Sequence, residues 1–284
     1  MNNNPLSKYF RQAGAYVRLP TLGIWYTDGS VNLNDEGEIP IYPLSAIDDI
    51  LLNTPDAMLN GQALEKVIKN CAPDVKDIKK LLIPDLETIF VGMKAASNNG
   101  KFDLDRKCPK CEYENTYEVN CNGLLATSTI INENDRKITF NGELEVWVKP
   151  YTFEMRQLFI KREFAEEKLL RSIDESNKQI DELEKAKILA ESVDRISNIT
   201  FDLVSKSIEK IVLLQTNETI TDKNHINEWL TNISKKEADI VIETVNKLNS
   251  VGPNKEFPAQ CTKCEHTWTE TLNFDPSSFF GKSS

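Results

Sequence analysis

The residues best placed to do chemistry are cysteines. Four of the six form two Cys-x-x-Cys pairs, Cys108/Cys111 and Cys261/Cys264, in matching frames: Lys107-Cys-Pro-Lys-Cys-Glu112 and Gln260-Cys-Thr-Lys-Cys-Glu265. A segment of strand type follows each pair, Glu112–Val119 and His266–Phe274. In the second, Trp268, Leu272 and Phe274 alternate with threonines. Two thiolates separated by two residues can grip one ion from a tight turn, and two such turns complete a tetrahedral sulfur shell. The repeat therefore predicts a zinc ribbon split by residues 112–260, with Cys108, Cys111, Cys261 and Cys264 as ligands. Reduced thiols, a redox pair and an iron–sulfur centre are the alternatives. Four thiolates leave no coordination position for a substrate, so such a zinc is structural. Cys71 ends an apolar helical run and reads as a small buried residue; Cys121 has no paired partner nearby.

Other chemistry is thinly represented. There are two histidines, His225 and His266, and no Gly-x-Ser-x-Gly, Walker or His-Glu-x-x-His pattern. The acid pairs Asp48/Asp49 and Asp103/Asp105 have no base or glycine-rich loop beside them and read as solvated cap and loop carboxylates. The expectation is a protein that is not an enzyme. Against 44 acids stand 34 bases, a net charge of −10, which opposes generic nucleic-acid binding. Lys107, Lys110 and Lys263 could still touch phosphate beside the knuckles, so a zinc-ribbon nucleic-acid adaptor is a rival. No apolar run reaches the roughly 20 residues of a membrane span, and Met1-Asn-Asn-Asn-Pro5 lacks the features of a secretory signal. A cytosolic origin is the default.

The elements that must position the cysteines alternate between small strands and helices. Residues 1–12 read as a flexible N-terminus. Strands are expected at Ala15–Leu19, Gly23–Tyr26 and Glu38–Tyr42, with turns at Asp28-Gly29 and Asn34–Gly37. Ser45 can cap a helix, with Asp48 reaching back to it. A second helix runs over Gln62–Asn70 and ends at Pro73, and a third opens at Pro84-Asp85 and closes at Asn98-Asn-Gly100. Asn141-Gly142 marks a hairpin between Ile138–Phe140 and Leu144–Lys149.

Residues 154–249 contain neither glycine nor proline, which predicts an almost wholly helical insertion. Glu167/Arg171, Asp181/Lys185 and Glu191/Arg195 are acid-to-base pairs at helical spacing. Ile173, Ile180, Leu183, Leu189, Val193 and Ile196 form a narrow seam, read as a helical hairpin or small bundle with a solvated face or a docking face for a neighbouring subunit. One helix is expected over Phe201–Leu214 and another from Ile226 to Leu248. The reading is α+β: residues 13–153 plus 250–284 form a mixed body of small sheets and helices with the split ribbon, and 154–249 form the insertion.

Leu19-Pro-Thr-Leu-Gly-Ile-Trp-Tyr26, Ile41-Tyr-Pro-Leu-Ser45, Asp56–Leu64 with Val67–Pro73, Asp85–Ser97, Cys108-Pro-Lys-Cys111 and Asn273–Gly281 occur in an order that resembles the baseplate hub assembly protein family of T-even-like contractile-tailed bacteriophages. The resemblance is strongest over residues 12–111 and 257–281. It implies a myovirus tail baseplate hub protein that acts by protein–protein binding, as a virion component or as an assembly chaperone absent from the finished particle. The partners it implies are other hub, tail-tube, spike or tape-measure proteins. The places it implies are the virion tail and, during assembly, the host cytoplasm. It supplies no catalytic residues. Phe279/Phe280 and Trp25/Tyr26 are candidate partner anchors; packing into the chain's own body is the alternative for each pair.

Overall fold

The computed structural model describes residues 4–52, 61–97, 100–175, 182–274 and 279–280. Several sequence expectations lie outside them: Asp56, the Asp181/Lys185 pair, seam residue Ile180 and the Asn98-Asn99 stop. The fold is α+β, with eight α-helices and four small antiparallel sheets among the described residues. The chain divides into two compact units, residues 1–130 with 251–284, and residues 131–250.

In the first unit β1 (Ala15–Arg18) pairs with β2 (Glu38–Ile41). Helices α1 (Ala46–Leu52), α2 (Gln62–Cys71) and α3 (Ile83–Ser97) follow. α3 is the centre of the core: Leu86, Ile89, Phe90, Val91 and Met93 are all buried. Pro84 suits the first turn, where no N–H partner is lost. Gly92 lets α3 lie directly on β1 and β2, since a Cβ there would come within 2.7 Å of Val17 Cγ1 and 3.2 Å of Ile41 Cγ1. Gly92→Val is therefore expected to destabilise the chain by about 2 kcal/mol through overpacking, read as a lowered denaturant midpoint.

Two polar clusters tie this core together. Ser45 and Asp48 form the expected cap, Ser45 N and Oγ donating to Asp48 Oδ2 at 2.9 and 2.6 Å. Asp48 is nevertheless buried rather than solvated. Arg11 donates to it at 2.9 Å and Asn70 at 2.8 Å. Burial works against its charge, but the bonds from Asn70, Ser45 and Arg11 outweigh that and hold its carboxyl below the usual range. Arg11 also donates to the Pro43 and Asn70 carbonyls, so this part of the expected flexible N-terminus is anchored to the body. Cys71 is buried beside Asp48, as its place on the apolar face of α2 predicts.

The second cluster corrects a strand. Residues 23–26 form successive turns, not a strand, with Leu22 and Gly23 at φ 53° and 72°. The chain coils here because Asp85, fully buried in the first turn of α3, draws it in. Asp85 accepts bonds from Thr21 N at 3.1 Å, Thr21 Oγ1 at 2.6 Å and the Tyr26 hydroxyl. That hydroxyl accepts the Leu82 N–H at 3.0 Å.

The remaining strands of this unit form two hairpins, β3 (Lys101–Lys107) with β4 (Glu114–Asn120), and β9 (Glu256–Gln260) with β10 (Thr267–Thr271). A short helix, α4 (Cys121–Ala126), follows β4, with Asn120 capping it through Gly123 N.

The second unit is a four-stranded antiparallel sheet in the order β5-β6-β7-β8 with four helices. β5 (Lys137–Phe140) and β6 (Leu144–Val148) meet at Asn141-Gly142, both at positive φ as a tight hairpin requires. After α5 (Phe153–Glu175) and α6 (Glu182–Ser207), the chain turns directly into β7 (Ile208–Leu213), which lies along β6. β8 (Glu218–Ile220) completes the sheet. The insertion is thus not wholly helical, and the expected helix over 201–214 ends at Ser207. Ile208, Ile211 and Val212 are β-branched, and Val146 pairs with Ile211 across the open edge of β6. α7 (Lys223–Asn232) and α8 (Lys235–Asn249) split the expected single helix. Ser234 and Glu237 form a capping box at the break, with Ser234 Oγ accepting from Glu237 N at 3.3 Å.

Of the expected helix pairs, Glu167–Arg171 and Glu191–Arg195 form at 3.6 and 3.8 Å. No helix among the described residues is long and apolar enough to cross a membrane.

Candidate metal centre

Each Cys-x-x-Cys sits at the tip of a hairpin, where the strands must reverse. The two tips repeat the same backbone structure. Cys108 N donates to Tyr113 O at 2.9 Å, and Cys261 N donates to His266 O at 2.9 Å. Glu112 N and Glu265 N return to the Cys108 and Cys261 carbonyls at 2.9 and 3.0 Å. Inside each loop a lysine N–H, Lys110 or Lys263, points at the first sulfur of its pair at 3.4 Å. The reversal is closed by a glutamate in the left-handed region, φ 57° at both Glu112 and Glu265. That conformation costs an L-residue roughly 1–2 kcal/mol. Replacing Glu112 or Glu265 by glycine is therefore expected to raise stability by about 0.5–1 kcal/mol in thermal unfolding, with the sulfur cluster unchanged.

The hairpins bring the four sulfurs together, all within 4.8 Å of one another. Cys108 Sγ lies 3.7 Å from Cys264 Sγ, and Cys111 Sγ lies 3.7 Å from Cys261 Sγ. A zinc ion with bonds of about 2.3 Å to four sulfurs sets tetrahedron edges near ~3.8 Å, whereas a disulfide needs about 2.05 Å. The donor set therefore fits a tetrahedral thiolate metal such as zinc. Cys108 and Cys261 are buried and their partners half-buried, so the cluster is closed on its inner side.

The charges point the same way. The Tyr113 backbone contact favours the Cys111 thiolate, but burial and its three sulfur neighbours push the group up to about 12. Cys261 is opposed by burial, yet the N–H groups of Cys264 and Lys263 and the neighbouring thiols bring it down to about 6. One thiolate makes a second unfavourable at this spacing unless a cation offsets them.

Asn115 was not legible as a site residue. It is buried in β4, and its Oδ1 accepts Thr262 N and Thr262 Oγ1 of the other knuckle, both at 2.9 Å. Its Nδ2 donates to Tyr113 O at 2.9 Å and faces Cys261 Sγ at 3.8 Å. One amide thus locks the two tips together, the kind of outer contact that orients metal ligands. The only hint in the sequence is a polar residue at an inward position of an alternating strand. Below it, Tyr117 packs edge-on against Phe257 and Trp268 and donates to Gln260 O at 2.9 Å. Arg106 donates to Glu270 at 2.8 Å, also joining the hairpins. His266 stacks on Trp268 and offers its backbone carbonyl, not its ring, to the knuckle.

A family model described as T4 bacteriophage base plate protein matches residues 44–281, which takes in all four cysteines and both units. The chain belongs to the T4 bacteriophage base plate protein family. No curated protein and no solved structure matches it. Membership gives the chain a structural role in a phage baseplate, with other phage structural proteins as its neighbours.

Within this baseplate protein the other expected site residues stand apart from the cysteines. Phe279 and Phe280, expected as partner anchors, are buried in the chain's own body. Phe280 meets Phe90 edge-on at 5.5 Å, Phe279 meets Phe102 at 5.3 Å and Phe274 at 5.2 Å, and Lys94 lies over both rings. Their aromatic area completes the core around α3, so the free chain does not present them. Tyr26 is likewise buried, held through its hydroxyl by Asp85, and Trp25 beside it is half-buried. Asp103 is exposed and Asp105 accepts the Thr116 hydroxyl at 2.6 Å.

Proposed function

We propose that this chain is a protein of the baseplate hub, acting by protein–protein binding, and that Cys108, Cys111, Cys261 and Cys264 hold one structural zinc. The observation that carries the reading is the union of a baseplate family match with a closed four-sulfur cluster. A site with no open coordination position has nothing to offer a substrate, and a baseplate part needs a rigid body. The zinc would join the two ends of residues 112–260 to one another within the first unit. Hub, tail-tube, spike or tape-measure proteins are the partners, met in the host cytoplasm during assembly and retained in the tail.

Quantifying the chain in purified phage particles tests this. A fixed small number per particle supports a hub component. Presence in infected-cell lysate with none in particles replaces it by an assembly chaperone. The nucleic-acid adaptor finds less support, because the net charge is −10 and part of the base set near the knuckles is already engaged: Lys107 pairs with Glu114 at 3.3 Å, and Lys263 lies over the Tyr113 ring at 5.5 Å.

A further inference from the structure

We propose that the outer face of α6, centred on Ala190 and Glu191, is a contact surface for a second copy of this chain, the two helices meeting antiparallel across a twofold axis. The inference stands on the second unit alone and is independent of the zinc reading.

The inner face of α6 is already occupied. Ser192 is fully buried and donates to Glu166 of α5 at 2.8 Å, and Arg195 holds the same carboxylate at 2.8 and 3.0 Å. On another face Ala186, Leu189, Ala190, Val193 and Ser197 recur three and four apart, the spacing of a helix-packing seam. All five are exposed, and Leu189 and Val193 each keep 54% of their surface in water. Further along the same face Val204 is completely buried, and α6 as a whole packs with α7 and α8. The apolar stripe thus continues beyond the cover its own unit supplies. The small residues flanking Leu189 and Val193 let another backbone approach closely.

Charge selects the occupant. Lys187 and Asp194 lie on one flank of the stripe, seven residues apart, and neither forms an ion pair among the described residues. An antiparallel twofold at Glu191 places Leu189 of one copy opposite Val193 of the other. A twofold between Ala190 and Glu191 places Lys187 opposite Asp194, and the reciprocal pair follows from symmetry. The apolar and charged pairs therefore agree on one axis to within half a residue. A parallel twofold would instead turn this flank of each helix towards the opposite flank of its partner, so Lys187 and Asp194 would not meet. This self-complementarity favours a second copy over an unrelated helix, which would not need both signs in mirrored positions.

The test is light scattering or sedimentation equilibrium of the full chain over a concentration series, with far-ultraviolet dichroism to verify folding. A dimer is expected that Leu189→Glu converts to monomer. Lys187→Asp and Asp194→Lys should each weaken it roughly tenfold, since two pairs turn from attraction to repulsion, and the double charge swap should restore it. Ala190→Cys, oxidised with copper–phenanthroline, should give a disulfide-linked dimer that the unmodified chain does not. A chain that stays monomeric at every concentration overturns the proposal. So does a dimer indifferent to Leu189→Glu and to the charge reversals, or a monomer that uses this face for a different phage protein.

Discussion

Removing the proposed zinc is expected to loosen the first unit while leaving the second folded. Elemental analysis of the purified chain should give about one zinc, and the Cys261→Ser/Cys264→Ser variant should lose it. Without the ion the four sulfurs, gathered within 4.8 Å, lose what holds them together. The two hairpins then keep only the Asn115–Thr262 bonds, the Tyr117–Trp268–Phe257 contacts and the Arg106–Glu270 pair. Closing a loop as long as residues 112–260 contributes roughly 4–5 kcal/mol by analogy with a disulfide, and less where the intervening unit is ordered by its own contacts. A loss of about 3–4 kcal/mol is therefore expected on chelation or in the double variant. Hydrogen exchange should rise over 101–120 and 256–271 while 137–148 and 208–213 stay protected. Freshly reduced protein that holds no metal when zinc is supplied, with unchanged stability in the variant, would sink the ribbon. Asn115→Ala should give an intermediate result, zinc retained but held more weakly, because the ligands remain while the bridge between the tips is lost.

The second large effect is a pH dependence written into Asp85. Burial pushes its carboxyl up to about 6, against the bonds from Thr21 and Tyr26 that favour its charged form. The unfolded chain releases this proton near 3.8. Between those values the folded state binds more protons than the unfolded state, so stability falls as pH rises. The contribution is fully present below 3.8 and is lost through pH 6, a swing of about 3 kcal/mol at about 1.4 kcal/mol per unit. Asp48, held low by Asn70, Ser45 and Arg11, works in the opposite sense and loses its contribution as pH falls. Measuring Asp85→Asn against the unmodified chain isolates the first effect, because Asp48 and the thiolates cancel in the difference. The asparagine variant should gain about 2.5 kcal/mol relative to the unmodified chain between pH 4 and pH 8. A difference constant across that range would show that Asp85 does not titrate in it.

Local signals were legible wherever short-range chemistry decides the backbone. Asn141-Gly142 marked its hairpin because two successive positive φ values need such residues. Ser45 with Asp48 marked a helix start, although the same reading left Asp48 in solvent. The Arg11 that buries its charge is far away in sequence, and no spacing rule connects residues 11 and 48. The break at Ser234 was also readable, since Ser-x-x-Glu is a capping pattern, but continuous apolar periodicity on both sides masked it.

The strand β7 shows the limit most clearly. Nothing in Ile208–Leu213 stops a helix: there is no glycine or proline, and the run sits between helical segments. It becomes a strand because β6 offers an unpaired edge, and backbone hydrogen bonding to that edge outweighs a propensity difference of under ~1 kcal/mol per residue. Gly23–Tyr26 makes the converse case, where strand-forming residues coil because a buried carboxylate needs the Thr21 and Tyr26 donors.

The four-cysteine set was readable from the sequence alone, since two matching Cys-x-x-Cys frames require only local turns to aim their sulfurs. It determined the α+β class through hydrophobic period and turn residues. Tertiary structure decided that the two frames meet, that Asn115 locks them, that Phe279 and Phe280 complete the core, and that Leu189 and Val193 stay in water. The reason is range: torsional preference acts over a few residues, whereas burial and charge pairing depend on which distant segments the chain brings together.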